Sequence, residues 1–222
     1  MATSDLISNL VRDLQPVRPL PLPWVRVAQW GLLAVASMAL VMAVMGPRVD
    51  FLTAVATPSF QAHSALLLLA AATSAVAALV RAVPGESLGL WRFAPVAAVL
   101  AWAAWLAAEL MTFMAGGQDI WPIASGVGCV AKAFAFGVAP GIVLTIMLGR
   151  GAPGDARAAM VFAGTAAAAV GALGVEMTCP LISPTHLLLW HAGPVAAIVL
   201  AASVFGRATL NKCVATLSQD RR

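Results

Sequence analysis

The sequence contains a series of long apolar runs separated by short polar segments. A helix needs roughly 20 residues to cross about 30 Å of hydrocarbon. Six runs have that length and cover residues 27–45, 61–80, 93–113, 126–148, 158–175 and 185–205. The runs are continuous rather than alternating, which indicates helices and not the strands of a membrane barrel. The pattern predicts an all-α polytopic membrane protein, a bundle of six transmembrane helices.

The segment before the first run has a different pattern. Its apolar side chains recur at the spacing of one helix face, at Leu6, Ile7, Leu10, Val11 and Leu14. Prolines then end the helix and make an extended linker, at Pro16, Pro19, Pro21 and Pro23. An isolated helix of this length is marginal in water, so we expect it to fold against the membrane, against its own loops or into a groove of a partner protein.

These patterns divide the chain into three parts. We expect a cytoplasmic helix and proline-rich linker in residues 1–26, a transmembrane domain in 27–206 and a cytoplasmic tail in 207–222. The first segment lacks the compact apolar region of a secretory signal, so we expect it to stay attached.

Composition and charge placement extend this picture. The chain is 61% hydrophobic and only 10% charged, as expected of a protein in contact with the lipid bilayer. With the N-terminus inside, 11 of the 13 basic residues fall on the cytoplasmic side, Arg48 lies outside and Lys132 lies within a span. Because positive loops are retained in the cytoplasm, we expect a bacterial inner-membrane protein with both termini cytoplasmic.

The same features argue against two classes of function. The net charge of +4 comes from scattered basic residues and not from a basic patch, so no nucleic-acid contact is predicted. The sequence also lacks CxxC, HExxH, GxSxG and a phosphate-binding glycine loop. We therefore expect no enzymatic activity and no cofactor.

Ionisable and thiol side chains cluster near the outer ends of the predicted spans. They are His63, Glu109, Cys129, Lys132, Glu176, Cys179, His186 and His191. The inner halves of the predicted spans contain no ionisable residue. A charge at membrane depth costs a few kcal/mol, so such groups face the bundle interior and pair with each other. Glu109 and Lys132 are the expected ion pair, in a structural or a functional role.

Two of the three cysteines, Cys129 and Cys179, are predicted on the outer side, while Cys213 is cytoplasmic. Three alternatives stay open for the outer pair: an inert buried Cys129, a disulfide or redox pair, and ligation of a soft metal ion.

A metal site could combine the two outer thiols with His186 and either Glu176 or His191. However, His186 and His191 are five residues apart and would point about 140° away from one another on an α-helix. The sequence alone therefore assigns no metal.

Several stretches resemble a known family. The N-terminal DLISNLVRDLQPVRPL, the lone cysteine early in the fourth span, and CPLISPTHLLLWH before the sixth span together resemble the NrsF family of bacterial membrane anti-sigma factors. The resemblance implies that the N-terminus sequesters an extracytoplasmic-function sigma factor. It also implies that Cys129 and Cys179 are the stress-sensing pair.

Residues that match the N-terminal motif of this family are Asp5, Leu6, Leu10, Asp13, Leu14, Pro16, Val17, Arg18 and Pro19. With Ile7 and Val11 from the same helix face, they form the expected sigma-binding segment. Residues expected around the sensing thiols are Glu109, Lys132, Glu176, His186 and His191.

The leading hypothesis is a sensor and anti-sigma factor that releases its partner under oxidative or soft-metal stress. A small transporter using His63, Glu109, Lys132 and His186 as a polar path is the alternative. A membrane thiol oxidoreductase is a third hypothesis, which the missing CxxC disfavours.

Overall fold

The computed structural model describes residues 3–12, 19–118, 125–181 and 183–219. Its α-helices are α1 (Thr3–Arg12), α2 (Pro23–Met45), α3 (Phe51–Val55), α4 (Pro58–Arg81), α5 (Ala94–Ala115), α6 (Val127–Gly149), α7 (Ala156–Thr178), α8 (Pro184–His186) and α9 (Gly193–Gln219). A 3₁₀ turn, Gly89–Phe93, precedes α5, and a π-helical turn, Leu187–Ala192, joins α8 to α9. These described residues contain no strand, and the predicted all-α fold is confirmed.

Six helical segments are long and apolar enough to cross a membrane: Pro23–Met45, Pro58–Arg81, Gly89–Ala115, Val127–Gly149, Ala156–Thr178 and Pro184–Thr216. The predicted number of spans is therefore confirmed. Large apolar side chains on the outside of the bundle fit the same conclusion, because α2 exposes Leu32, Leu40 and Val44. A face of this kind is stable against lipid and not against water.

Two helix boundaries differ from the predicted segments. α2 begins at Pro23, inside the stretch predicted as linker. Proline is favourable at the first position of a helix because its missing N–H needs no partner there. At the other end of the chain, α9 continues to Gln219, so most of the predicted C-terminal tail extends the sixth span.

The six long segments alternate in direction, and contacts between their ends show this order. At one end the backbone N–H of Arg48, after α2, donates to the carbonyl of Met177 in the last turn of α7, at 3.0 Å. At the other end the N–H of Ala152, after α6, donates to the carbonyl of Ala82, after α4, at 2.9 Å. We call the first the cysteine end, since it holds Cys129 and Cys179, and the second the Arg26 end.

Helix α7 lies at the centre of the bundle, and small residues let α6 pack closely against it. A Cβ placed on Gly171 of α7 would lie 2.5 Å from the carbonyl oxygen of Ala133 on α6. A Cβ on Gly137 of α6 would lie 2.8 Å from the carbonyl oxygen of Ala167 on α7. Each helix thus contributes two small residues one turn apart, the spacing that permits close backbone approach in lipid.

The predicted N-terminal helix is present as α1, and its described apolar side chains are exposed. Ile7 is 56% exposed and Val11, one turn later, is 59% exposed. Several predicted sigma-binding residues, Asp13, Leu14, Pro16, Val17 and Arg18, lie outside the described residues, as do the side chains of Leu6 and Leu10.

The contact between α6 and α7 generates a stability prediction. Gly171→Ala should destabilise the protein by about 1–3 kcal/mol, because the added methyl group meets a backbone carbonyl that cannot rotate away. Thermal unfolding in detergent measures this change. Gly128→Ala on α6 is the matched control, since a Cβ there has no neighbour within 4 Å. An unchanged midpoint for Gly171→Ala would contradict the close packing.

Candidate functional site

The two cysteines of the cysteine end lie side by side. Cys129 is in the first turn of α6, and Cys179 directly follows α7. Their sulfur atoms are 3.1 Å apart, both thiols are free, and both side chains are buried. The antiparallel packing of α6 on α7 accounts for this meeting, because it brings the start of one helix beside the end of the other.

His186 completes a triangle with the two sulfurs. Its Nε2 lies 3.6 Å from the Sγ of Cys129 and 3.7 Å from the Sγ of Cys179. The side chain is fully buried. The Ser183 hydroxyl caps α8 by accepting the backbone N–H of His186 at 3.4 Å, which fixes the start of the sixth span at this point.

His191 lies beside His186, which corrects the expectation that the two side chains point in different directions. Their ring centroids are 5.6 Å apart. The reason is the π-helical turn Leu187–Ala192, in which the N–H of Gly193 donates to the carbonyl of Leu188, five residues earlier. A wider turn of this kind returns residues five apart to nearly the same face.

Pro194 explains why the turn widens here. In a regular α-helix its ring would clash with the carbonyl of Trp190, and it has no N–H to donate to that carbonyl. An extra residue in the turn before the proline relieves this conflict. The Gly-Pro pair that begins two residues after His191 is thus the sequence signal that could have placed both histidines on one face.

Together these four side chains form a compact donor set. The ligand atoms of Cys129, Cys179, His186 and His191 all lie within 4.8 Å of one another, and all four residues are buried. The Nε2 of His191 has no hydrogen-bond partner. A buried ring nitrogen without a partner is costly, and a metal ion would satisfy it.

The distances are close to those of a tetrahedral metal site. With metal–sulfur bonds of about 2.3 Å and metal–nitrogen bonds of about 2.1 Å, sulfur lies about 3.6 Å from nitrogen and about 3.8 Å from the second sulfur. The observed sulfur–nitrogen separations already match. The sulfurs, at 3.1 Å, would have to separate slightly. Two thiolates and two imidazoles suit zinc and softer ions such as cadmium or copper(I).

Two basic side chains hold the loop that carries Cys179. Lys132, one turn after Cys129 on α6, donates to the carbonyl of Thr178 at 2.9 Å. Arg48, which the sequence did not single out for the site, is buried and contacts the carbonyl of Pro180 at 3.4 Å. It also binds both carboxylate oxygens of Asp50, at 2.6 and 2.7 Å. This hydrogen bonding lowers the pKa of Asp50 and raises that of Arg48.

Glu109 pairs with His63, and the expected ion pair with Lys132 is wrong. The Oε2 of Glu109 lies 2.6 Å from the Nε2 of His63, and the hydroxyl of Ser59 and the indole of Trp105 also donate to this carboxylate. The difference follows from packing: α5, which carries Glu109, lies against α4, whereas α6 lies against α7.

The neighbours of His63 assign its proton. The indole N–H of Trp102 donates to Nδ1 of His63 at 3.1 Å, so Nδ1 accepts and carries no hydrogen. The proton therefore resides on Nε2 and is donated to Glu109.

A cavity of about 510 Å³ leads from the surface of the cysteine end to the donor set. Its lining includes Asp50, His63, Glu109, Glu176, Cys179 and His191. Glu176 is buried at this cavity and accepts a hydrogen bond from Ser64 at 3.3 Å. The carboxylates of Asp50 and Glu109 along the wall attract cations, and Cys179 and His191 are the two donors that a cation entering this way would reach first.

The fold and this site define a polytopic helical membrane protein with a buried cluster of two thiols and two imidazoles at one end of its bundle. Residues 10–211 match the NrsF family, described as negative regulator of sigma F, and the chain belongs to that family. The protein is accordingly a negative regulator of a sigma factor. Comparisons with curated proteins and with solved structures returned no match.

The donor set predicts metal binding by the reduced protein. In equilibrium dialysis with Cd²⁺ the full chain in detergent should bind one ion. His191→Gln should weaken binding by about tenfold or more, since even the loss of a residue that only orients a ligand costs that much. Cys129→Ser should weaken it further. Cys213→Ser is the matched control, because Cys213 lies at the Arg26 end, near Thr145. Equal affinity of the wild type and Cys129→Ser would rule the site out.

Proposed function

We propose that the protein is a membrane anti-sigma factor that holds an extracytoplasmic-function sigma factor on the cytoplasmic side. The segment that precedes α2 binds the sigma factor, the six long helical segments cross the inner membrane, and the residues that follow the sixth segment remain in the cytoplasm. The signal acts on Cys129 and Cys179 from the periplasmic side. The observation that carries the proposal is the cluster of these two thiols with His186 and His191, at the end of the bundle opposite the start of α2.

The exposed face of α1 supports the binding role of the N-terminus. Ile7 and Val11 lie one turn apart on a short helix and are more than half exposed. Such a face gains free energy by entering an apolar groove, and a helix of 10 residues is stabilised by doing so. The sigma factor supplies that groove.

Two chemistries at the thiols can supply the signal. A soft metal ion displaces the thiol protons and binds the four donors, which requires the sulfurs to separate slightly. A peroxide instead takes two electrons and two protons from the thiol pair, forms a disulfide and is reduced to water. Either event changes the spacing between the start of α6 and the end of α7, and with it the relative stability of two packings of the bundle.

The binding role of α1 is tested by capture of the sigma factor. Ile7→Asp and Val11→Asp in the full chain should each abolish co-purification with it, because a buried, unpaired carboxylate costs several kcal/mol at the interface. Asn9→Asp adds the same charge two positions from Ile7 and from Val11, about 160° around the helix from each, and should leave capture unchanged. Capture that survives both apolar substitutions would place the binding surface elsewhere.

The sensing role is tested by induction. In a Cys129→Ser, Cys179→Ser double variant, transcription from a promoter of the sigma factor should stay repressed when Cd²⁺ or peroxide is added, while capture of the sigma factor is retained. A Cys213→Ser variant should respond as the wild type does. Full induction of the double variant by both agents would exclude these thiols as the sensor.

A further inference from the structure

Helix α2 is attached to the bundle by a narrow strip of side chains. Its buried residues are Arg26, Trp30 and Ala34, which are four residues apart and share one face. Beyond Ala34 no residue of α2 is buried. Within α2 the buried contacts therefore lie in the half nearest the Arg26 end, while the segment directly after the helix is held at the cysteine end by Arg48.

Arg26 binds the ends of two other helices. Its guanidinium donates to the carbonyl of Leu79, in the last turn of α4, at 3.3 Å, and to that of Met147, in the last turn of α6, at 2.7 Å. The side chain is 2% exposed. No carboxylate pairs with it among the residues described. The partial negative charge at the two helix C-termini takes the place of a counter-ion.

Trp30 makes a second connection to α6. Its indole N–H donates to the carbonyl of Pro140 at 3.0 Å. Pro140 and Met147 are seven residues apart, so α2 contacts α6 at points about two turns apart. The first turn of the same helix carries Cys129. A single helix thus connects the thiol cluster at one end to the anchoring of α2 at the other.

We propose that Arg26 and Trp30 are the positioning residues that couple α6 to the sigma-binding segment; this inference rests on the function proposed above. At rest they hold α2 against α4 and α6, and the N-terminal segment is presented to the sigma factor. When a signal moves α6, the carbonyls of Met147 and Pro140 leave their donors. α2 is then released, and with it the sigma factor.

Coupling of this kind is reciprocal. If occupation of the thiol cluster favours the released state, a variant that weakens the contacts of Arg26 removes part of the cost of reaching that state. The affinity of the distant cluster for a metal ion must then rise. A substitution that merely damaged the fold would lower that affinity, so the direction of the change separates coupling from general instability.

Arg26→Lys is the test variant. It retains the positive charge at this end of α2, but an ammonium cannot bridge two carbonyls with the planar fork of a guanidinium. In equilibrium dialysis with Cd²⁺, the reduced full chain carrying Arg26→Lys should bind about tenfold more tightly than the wild type. This change corresponds to a loss of about 1.4 kcal/mol in the free energy by which Arg26 stabilises the resting state relative to the released state. Trp30→Phe, which removes only the indole donor, should shift affinity in the same direction.

Arg81→Lys is the matched control. Arg81 also lies at the Arg26 end, but it donates within its own helix to Ala77 and lies over the ring of Phe162 on α7, so these contacts involve neither α2 nor α6. The affinity of the Arg81→Lys variant for Cd²⁺ should equal that of the wild type. Unchanged or weaker binding by Arg26→Lys would overturn the coupling proposal.

A reporter experiment tests whether Arg26 acts downstream of the thiols in signal transmission. Arg26→Lys should raise uninduced transcription from the sigma-dependent promoter, and it should do so equally in the Cys129→Ser, Cys179→Ser background. Repression as tight as in the wild type would contradict the proposal. If the function itself were wrong, the wild type would neither capture a sigma factor nor respond to the signal, so the two failures are distinguishable.

Discussion

The close approach of α6 to α7 is the contact on which the rest of the structure depends. Gly171 of α7 lies against the backbone of Ala133 on α6, with no room for a side chain. Cys129 is one turn from Ala133 along α6, and Cys179 directly follows the end of α7, two turns beyond Gly171. Because the helices run in opposite directions, these turns lead to the same place. The sulfurs meet because the backbones of α6 and α7 are in close contact next to them, at Ala133 and Gly171.

Two cations of the bundle, Lys132 and Arg26, donate to helix C-termini and not to carboxylates, whereas Arg48 is paired with Asp50. Lys132 donates to the carbonyl of Thr178, the last residue of α7, and Arg26 donates to the last turns of α4 and α6. The carbonyls of a final helical turn lack intrahelical partners and carry the negative end of the helix dipole. A cation bound to them responds to the position of a whole helix, whereas a flexible carboxylate could follow a small shift. These contacts are therefore suited to report helix movement.

The sequence predicts the spans well because lipid imposes a simple rule on length and polarity. It does not predict which polar groups meet, since that depends on how the helices are arranged around α7. Glu109 was expected to meet Lys132, but α5 lies against α4, where His63 is the available partner. His191 was expected on another face from His186, because an α-helix was assumed. The π-helical turn Leu187–Ala192, which has one more residue than an α-helical turn, instead places the two histidines side by side.

The resting distance between the two sulfur atoms restricts how the bundle can respond to oxidation and to metal binding. A disulfide requires the sulfurs to approach from 3.1 Å to about 2.05 Å, whereas a tetrahedral metal site requires them to separate to about 3.8 Å. The two chemistries thus push the start of α6 in opposite directions relative to the end of α7. A contact that strengthened with movement in one direction and weakened with movement in the other would respond oppositely to disulfide formation and to metal binding. Hydrogen bonds such as those of Arg26 weaken when their carbonyls move either way, because both distance and angle matter. The contacts of Arg26 with the last turn of α6 are therefore lost in both cases, and both signals release α2 and the sigma factor.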